Sequence, residues 1–502
     1  MFCGFLTTWM GYATLDYAIL FLPLALFFIQ QFFEKKQMRY GLFLAITVPL
    51  SFFSGHFQIS IYFFSFLVIY IIFKGISFGS RKGLLVLLFF LLCGFFLSMP
   101  QILPSVEFYL LSVRSAIFQG IEIIPWSYVP TFLAPDFFGN PVTGNNWFGH
   151  YAEWSSYIGV IPFMLAFYSL SVRKSNKHIL FFFIVSIIVI LFAFNSPVSQ
   201  FTVFLHIPVF STSAAGRIIV LFSFLFAVLS GFGFDALSND VKNRKIKRIF
   251  LWLGIFSILF LLLWTVILFH IFIPLMWISV AKKNLLLPTI LYGSFSLLII
   301  IFLSIKQNRK KIFLFSLITL LLVGFDLLRF AKKWQPFESK NLIYASTSFE
   351  KGLEKIKGNE RVLGRFGEEV SVYYRLSSVE GYDSLYNARY GEFISTLDSG
   401  KLSQPARNGV NFPRLGVNTS KALDFLNIQF ILHKRLDDKK SWELPYWNYP
   451  PNQFSLVYQD KTYQLFKNNN AYPRAFLVGN YLQIQNPQKI IDTLFAKSTN
   501  LL

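Results

Sequence analysis

Charged residues are scarce in this sequence. Of its 502 residues, 14% are charged and 54% are hydrophobic. Soluble globular proteins carry about 25% charged residues, so the composition excludes an ordinary soluble protein. Residues 1–330 contain repeated apolar runs, whose lengths approach the roughly 20 residues that a helix needs to cross a bilayer. The sequence therefore predicts a polytopic α-helical membrane protein.

Cysteine is nearly absent as well. Cys3 and Cys93 are the two cysteines, and both lie in apolar sequence. They exclude a disulfide framework and a CxxC metal site. Residues 331–502 also contain no glycine-rich phosphate loop and no Ser/His/Asp signature. We predict no metal site and no cofactor from these patterns, although the chemistry considered below is compatible with a divalent cation.

The net charge of +21 suggests a nucleic-acid partner at first, but its distribution follows membrane topology. Before residue 331 there are 23 Lys and Arg residues, and 18 of them fall in five short segments that alternate with segments poor in basic residues. The positive-inside rule places all five in the cytosol, so no nucleic-acid partner is expected. The five segments are Lys35/Lys36/Arg39, Lys74/Arg81/Lys82, Arg173/Lys174/Lys177, Lys242/Arg244/Lys245/Lys247/Arg248 and Lys306/Arg309/Lys310/Lys311.

Ten apolar runs alternate with these segments, and we expect about ten transmembrane helices within residues 1–330. Two long segments, 105–155 and 195–217, are then outer loops. The first is rich in Pro, Gly, Asn and aromatic residues, which indicates an ordered, functional loop rather than a structureless one. The runs lie near 12–32, 41–54, 57–73, 84–104, 156–172, 178–194, 217–235, 249–275, 285–305 and 312–329.

The short stretch Gly55-His56-Phe57-Gln58 interrupts the apolar sequence between Gly41 and Phe73. Because the basic segments on both sides are cytosolic, this stretch is predicted to be the outward tip of two short helices. His56 and Gln58 are costly in hydrocarbon unless something satisfies them. Two interpretations stay open: they hydrate a bend, or they form the floor of an external site beneath the 105–155 loop.

Residues 331–502 have ordinary charge and no apolar run long enough to span a membrane. By topology they form an extracytoplasmic α+β domain, after a transmembrane domain that covers residues 1–330. Residues 361–366, 429–434 and the hairpin 455–467 read as strands. Residues 387–397 and 487–497 read as amphipathic helices.

Carboxylates and cations are concentrated in the predicted outer segments, where they suit an anionic, lipid-linked substrate. Glu153, Asp136 and Glu107 are candidate catalytic residues, because a carboxylate can accept the proton of an attacking hydroxyl. Arg217 and Arg114 are candidate phosphate ligands, because a guanidinium binds phosphate through two parallel donors. The simpler alternative for Glu153 is an ion pair with Arg114 or Arg217.

Three further residues complete the predicted substrate-binding set. His56 and Gln58 can exchange hydrogen bonds with a sugar or a phosphate. Trp154 can stack on a sugar ring, or it can belong to the aromatic belt at the membrane interface. Spacing alone does not choose between these roles.

Seven segments, in this order, resemble the bacterial YfhO-like membrane proteins, and the resemblance covers nearly the whole chain. That family looks like a branch of the GT-C-type glycosyltransferases. The resemblance implies a polytopic enzyme that takes a sugar from a polyprenyl-phosphate carrier and glycosylates a cell-envelope polymer at the plasma membrane. The segments are GHFQ (55–58), LPSVEFYLLSVRS (103–115), EWSSYIGVIP (153–162), SAAGRIIVLFSFLFAVLSGFGFDAL (213–237), GYDSLYNARY (381–390), LDFLNIQFIL (423–432) and AYPRAFLV (471–478).

The sequence departs from the GT-C pattern at its beginning. GT-C enzymes carry their usual catalytic acid in the first outer loop, whereas TWMGYATLDYAILFLPLALF (8–27) already resembles a later helix of the family. Ten crossings with a cytosolic first loop also place Met1 outside. We therefore expect that an N-terminal helix and the first outer loop are lacking. Asp16 lies too close to an apolar run to be assigned as that catalyst.

Three functions compete at this point. The first is a membrane glycosyltransferase with a lipid-linked sugar donor and an envelope glycan acceptor. The second is a transporter or flippase of lipid-linked saccharides, which should carry ionisable residues near mid-membrane. The third is a non-catalytic envelope scaffold whose tail is a binding module.

We predict that residues 331–502 fold outside the membrane and can be expressed as a soluble domain, since the last crossing starts from the cytosolic Lys306–Lys311 segment. A cysteine placed at Ser384 should be labelled from the external face. Protection there, combined with reactivity from the cytosol, would overturn the topology.

Overall fold

A computed structural model describes residues 2–12, 14–116, 122–207, 209–305, 308–335, 337–343, 347–356, 358–364, 368–383, 385–435, 444–496 and 499. Lys306 of the last basic segment and Ser384, the labelling position, lie outside the described residues. The chain divides into two compact units, each described below by itself. Unit 1 comprises residues 1–103 and 118–337, and unit 2 comprises residues 104–117 and 338–502. Unit 2 therefore contains residues 105–117, the first part of the predicted outer loop 105–155, together with residue 104 at the end of an apolar run.

The helices up to residue 337 have the following bounds. They are α1 (Gly4–Trp9), α2 (Leu15–Ile19), α3 (Leu22–Lys35), α4 (Met38–Phe53), α5 (Phe57–Ser77), α6 (Arg81–Leu97), α7 (Met99–Leu110), α8 (Tyr151–Trp154), α9 (Val160–Tyr168), α10 (Lys177–Ala193), α11 (Pro197–Phe204), α12 (Ile219–Lys242), α13 (Ile246–Leu268), α14 (Ile278–Ser304) and α15 (Arg309–Trp334). The boundary between the two units falls inside α7.

Among the described residues, six helical segments are long and apolar enough to cross a membrane, and a seventh is added if the bent pair α6 and α7 counts as one span. Two further apolar helices, α4 and α10, are shorter. The run predicted near 156–172 is the nine-residue helix α9 followed by a 3₁₀ segment, Ser169–Ser175. The protein is thus a multi-helix membrane protein, while the predicted number of about ten crossings stays a prediction.

The hairpin predicted around Gly55 is present. Helix α4 ends at Phe53, and α5 begins at Phe57. Gly55 has a positive φ of 91°, a backbone conformation that glycine adopts at no steric cost. His56 is the N-cap residue of α5, and Gln58 already lies in its first turn.

The closest helix packing in unit 1 joins α9 to α12. A Cβ atom built on Gly233 of α12 would lie 1.8 Å from the backbone oxygen of Leu165 in α9. Small residues permit such contact between membrane helices, where van der Waals packing replaces the hydrophobic effect as the driving force. This contact positions the candidate site, because α9 follows the Glu153 segment and α12 follows Arg217.

The start of α9 is held by a carboxylate from α15. Both oxygens of Asp326 accept a hydrogen bond from the Tyr157 hydroxyl (2.7 Å), and Oδ2 also accepts from the Val160 amide (3.1 Å). The Val160 amide is one of the N-terminal donors of α9, which have no partner inside their own helix. Asp326 is 4% exposed, so these contacts satisfy a buried carboxylate and a helix end together.

Unit 2 contains a mixed five-stranded sheet with the order β2-β1-β5-β7-β6 and a separate pair, β3-β4. Strand β1 is parallel to β2 and β5, whereas β7 is antiparallel to β5 and β6. The strands are β1 (Arg361–Leu363), β2 (Ser377–Ser378), β3 (Gly381–Tyr382), β4 (Gly409–Val410), β5 (Ile428–Lys434), β6 (Phe454–Gln459) and β7 (Tyr463–Asn468). The helices are α16 (Ser348–Ile356), α17 (Glu368–Tyr373), α18 (Ala388–Ser399), α19 (Thr419–Phe425) and α20 (Pro487–Phe495).

The secondary structure predicted for unit 2 is confirmed where it is described. Strands β1 and β5, the β6–β7 hairpin and helices α18 and α20 lie where their patterns place them. Asp460 forms the hairpin turn, because its Oδ1 accepts hydrogen bonds from the amides of Thr462 and Tyr463. Residues 365 and 366 of the first predicted strand lie outside the described residues.

We predict that Gly233→Ala lowers the free energy of unfolding by about 1–3 kcal/mol, the usual cost of overpacking. The added methyl group would meet the α9 backbone, which cannot move aside as a side chain can. Thermal unfolding in detergent measures the effect. Gly231→Ala is the matched control, because a Cβ atom there meets open space. Equal melting temperatures for the two variants would refute the close contact.

Candidate functional site

An ion pair between Arg217 and Glu153 lies at the centre of the candidate site. Arg217 Nε donates to Glu153 Oε2 (2.7 Å), and Arg217 Nη2 donates to Glu153 Oε1. Glu153 belongs to α8, and Arg217 belongs to the 3₁₀ turn Ala215–Ile218, which leads directly into α12. Both side chains are 19% exposed. This is the ion pair that the sequence analysis weighed as the simpler alternative for Glu153.

His56 and Trp9 complete the surroundings of this guanidinium. Arg217 Nη1 lies 3.3 Å from His56 Nε2, and the Arg217 guanidinium carbon lies 5.0 Å from the centre of the Trp9 ring. Trp9 is itself held by a hydrogen bond from Nε1 to the Ala152 carbonyl (3.1 Å). The α4–α5 tip, helix α1, α8 and the start of α12 therefore meet at one cation.

The contact with Arg217 requires one particular tautomer of His56. A guanidinium only donates hydrogen bonds, so Nε2 must accept, and the proton of the neutral ring is then on Nδ1. The Ile59 amide lies 3.4 Å from Nδ1 and needs the opposite tautomer. A neutral His56 ring can accept from only one of these two donors at a time.

Gln58 is used differently from His56. Its Nε2 donates to the Ala214 carbonyl (2.8 Å), the Tyr62 hydroxyl (2.9 Å) and, at 3.3 Å, the Val209 carbonyl. Gln58 is 5% exposed. Its hydrogen bonds to Val209 and Ala214 connect the start of α5 to the segment that precedes Arg217. Within the described part of the chain, its Oε1 is buried without a hydrogen-bond partner. A substrate contact by Gln58 stays a prediction.

Trp154 follows Glu153 in the chain and contacts a second pair of polar residues, His150 and Glu122. Its ring stacks on the His150 ring with a centroid distance of 5.4 Å. His150 Nδ1 contacts Glu122 Oε1, and the Glu122 carbonyl accepts a hydrogen bond from the Gly216 amide (3.1 Å). The His150 side chain is 64% exposed, whereas that of Glu122 is 17% exposed. Both residues lie in the predicted outer loop, but their 28-residue separation carries no signal of contact.

Asp136 is occupied on both oxygens. Its Oδ1 accepts from Asn140 Nδ2 (2.8 Å) and the Tyr151 hydroxyl (2.5 Å), and its Oδ2 accepts from Lys333 Nζ (2.6 Å). Its backbone carbonyl accepts from Asn284 Nδ2 (2.6 Å). Burial, followed by the Asp136 charge, raises the pKa of Tyr151 well above its ordinary value, so the phenol stays a donor. These contacts indicate an anchoring role for Asp136, between the loop and the ends of α14 and α15.

Glu107 and Arg114 belong to unit 2. Glu107 is exposed on α7, and Arg114 Nη2 donates to Asn408 Oδ1 (2.9 Å). Nearby, the Leu111 carbonyl accepts from the Ala388 amide (2.9 Å), which ties this segment to the start of α18. Of the predicted site residues, the structure thus brings together Glu153, Arg217 and His56, with Trp154 and Gln58 beside them.

No group of three or more His, Cys, Asp or Glu side chains that could hold a metal ion occurs among the residues that the structure describes.

These features define an integral membrane protein with a C-terminal α+β unit and a polar cluster at the ends of its apolar helices. The sequence model of the family described as "Bacterial membrane protein YfhO" matches residues 2–500, and the chain belongs to that family. The resemblance seen in the sequence motifs is thereby confirmed. No curated protein and no solved structure matches the chain.

We predict that Asp136→Asn lowers the free energy of unfolding by about 2–3 kcal/mol, because it removes a charge that pairs with the partly buried Lys333. Thermal unfolding measures this loss, with Asp235→Asn on the exposed side of α12 as the control. If Asp136→Asn melted like the control, the anchoring role would be wrong.

Proposed function

We propose that this protein is a GT-C-type glycosyltransferase of the plasma membrane. It transfers a sugar from a polyprenyl-phosphate carrier to an envelope glycan on the outer face, with unit 2 extracytoplasmic. The observation that carries this proposal is the cation Arg217, bound by one carboxylate and one imidazole, next to apolar helices. The carrier phosphate of a lipid-linked sugar would be held at the membrane surface, where such a cation suits it.

Phosphate and carboxylate compete for the same face of a guanidinium. Arginine binds either anion through two parallel N–H···O bonds, and Glu153 occupies that face of Arg217. An entering phosphate would replace Glu153, while the Trp9 ring keeps the guanidinium in place through a cation–π contact. Glu153 thus occupies the binding face of Arg217 until the phosphate of the donor binds.

The displaced carboxylate supplies the base for transfer. The acceptor hydroxyl attacks the anomeric carbon of the sugar, and its proton passes to Glu153. The bond between the anomeric carbon and the phosphate oxygen breaks, and polyprenyl phosphate leaves with the electron pair, stabilised by Arg217. Of the three predicted catalytic acids, Glu153 fits this role best, because Asp136 is committed to Lys333 and Glu107 is an exposed residue of unit 2.

The buried acid of α15 does not offer the cargo site that a transporter or flippase would need. Such a protein would need an ionisable group inside the membrane that is available to its cargo. Asp326 is the buried acid of α15, and its oxygens are already committed to Tyr157 and Val160.

The test compares donor binding with sugar transfer in the full-length protein in lipid nanodiscs. We expect Arg217→Gln to weaken binding of polyprenyl phosphate about 10- to 100-fold, since one charge-assisted hydrogen bond is worth about 1.5–3 kcal/mol. Glu153→Gln should instead tighten that binding, because it removes the competing charge, and should abolish sugar transfer to isolated cell envelopes.

Lys282→Gln is the matched control, since Lys282 is an exposed cation at the start of α14. Arg217→Gln is expected to weaken donor binding and Glu153→Gln to tighten it. Simple destabilisation would weaken binding in both variants, so the two explanations give different results. Unchanged binding in Arg217→Gln, or transfer that persists in Glu153→Gln, would refute the assignment.

A further inference from the structure

Unit 2 contains a large open groove that the proposed chemistry does not use. Its volume is about 610 Å³, within the range of roughly 300–1,000 Å³ typical of ligand sites. Strand β2, the β3–β4 pair and the start of α18 surround it. The β3–β4 pair is separate from the five-stranded sheet, to which β2 belongs, so the groove lies between the two sheets.

Three tyrosines from one stretch of nine residues line the groove: Tyr382, Tyr386 and Tyr390. Two of them are fixed, because the Tyr390 hydroxyl donates to the Val379 carbonyl (2.8 Å) and the Tyr386 hydroxyl donates to the Ala406 carbonyl. Tyr382 is 61% exposed on β3. Rigid aromatic rings beside open space provide flat apolar surfaces at low entropic cost, and the apolar face of a pyranose ring matches such a surface.

The polar lining consists mainly of hydrogen-bond acceptors in fixed positions. Glu380 is held by both guanidinium nitrogens of Arg414 (2.9 and 3.0 Å) and by the Phe412 amide (3.0 Å). Asp383 Oδ1 accepts from the Leu385 amide (2.7 Å), which orients its exposed carboxylate. Asn411 adds an amide, which both donates and accepts. Carboxylates and amides that flank aromatic rings suit a ligand rich in hydroxyl groups.

The charge of the groove selects against anions. In the described part of unit 2, no Lys or Arg side chain lines it, whereas Glu380 and Asp383 do. Glu380 is paired with Arg414, so a phosphate, a uronate or another acidic polymer would meet the exposed carboxylate of Asp383 without a compensating cation in the described lining. The ligand that fits is therefore neutral.

A smaller cavity of about 160 Å³ between α18 and β4 adjoins the groove. Tyr386, Val410 and Asn411 line both cavities. A long site with shared walls suits a chain of several sugar units better than a single one.

We propose that this groove of unit 2 binds a neutral oligosaccharide, with Tyr382 as the stacking platform and Asp383 and Asn411 as hydrogen-bonding partners. The proposal does not depend on transferase activity, because it concerns binding by unit 2. If the protein is a transferase, the groove holds a neutral stretch of the acceptor glycan.

The experiment measures binding of tetrasaccharides to the full-length protein in detergent by saturation-transfer NMR. The probes are maltotetraose, cellotetraose and tetra-N-acetylchitotetraose, with tetragalacturonate as the anionic counterpart. We expect at least one neutral probe to bind and tetragalacturonate not to bind. Tyr382→Ala should weaken binding about fivefold or more, and Asn411→Ala should weaken it as well.

Tyr481→Ala is the matched control, because Tyr481 is an 87% exposed tyrosine of unit 2 outside the groove lining. Thermal unfolding of each variant separates lost binding from lost structure. The proposal fails if no neutral probe binds, if tetragalacturonate binds best, or if Tyr382→Ala binds like Tyr481→Ala at equal stability. Since no donor lipid is present, these outcomes are independent of the tests on Arg217 and Glu153.

Discussion

The ion pair of Glu153 and Arg217 connects the segments that form the candidate site of unit 1. Apolar helices in a membrane pack without strong directional preference, and polar contacts add the missing direction. Here one guanidinium meets a carboxylate from α8, an imidazole from the α4–α5 tip and an aromatic ring from α1. The close approach of Gly233 to Leu165 supports this arrangement, because it packs α12 against α9. Helix α12 follows Arg217 in the chain, and α9 follows Glu153.

The buried carboxylates of unit 1 differ in what they can still do. Asp136 and Asp326 have both oxygens occupied by buried or partly buried donors, so releasing them would take these donors away from a charged partner. Glu153 is also paired on both oxygens, but its partner is a guanidinium, which can donate the same two hydrogen bonds to a phosphate. Under the proposed function, an entering phosphate would therefore displace Glu153 more readily than the other two carboxylates. The identity of the partner, more than exposure, would distinguish the proposed base from the anchoring acids.

Local patterns predicted a good part of this fold. The bend at Gly55, the basic helix connections, strand β5 and the β6–β7 hairpin all arise from periodicity and turn residues within about ten positions. The contacts that build the site are different, because Glu153 and Arg217 lie 64 positions apart and His56 and Arg217 lie 161 apart. The sequence offered Arg217 as one of two partners for Glu153, and packing decided between them. The sequence pointed to Glu122 and His150 as polar groups of the outer loop, but it gave no signal of their contact or of a role for Trp9. It also gave no signal that residues 104–117 belong to unit 2.

The two units carry complementary chemistry. The site in unit 1 is organised around a cation that carboxylate and phosphate can share, as a lipid-linked donor requires. The groove in unit 2 combines tyrosine rings with carboxylates and, among its described lining residues, has no cation. A carrier phosphate would meet the Asp383 carboxylate in the groove, whereas Arg217 offers it a guanidinium. Under the two proposals, charge would therefore favour the anionic donor at Arg217 and leave the groove to a neutral stretch of the acceptor.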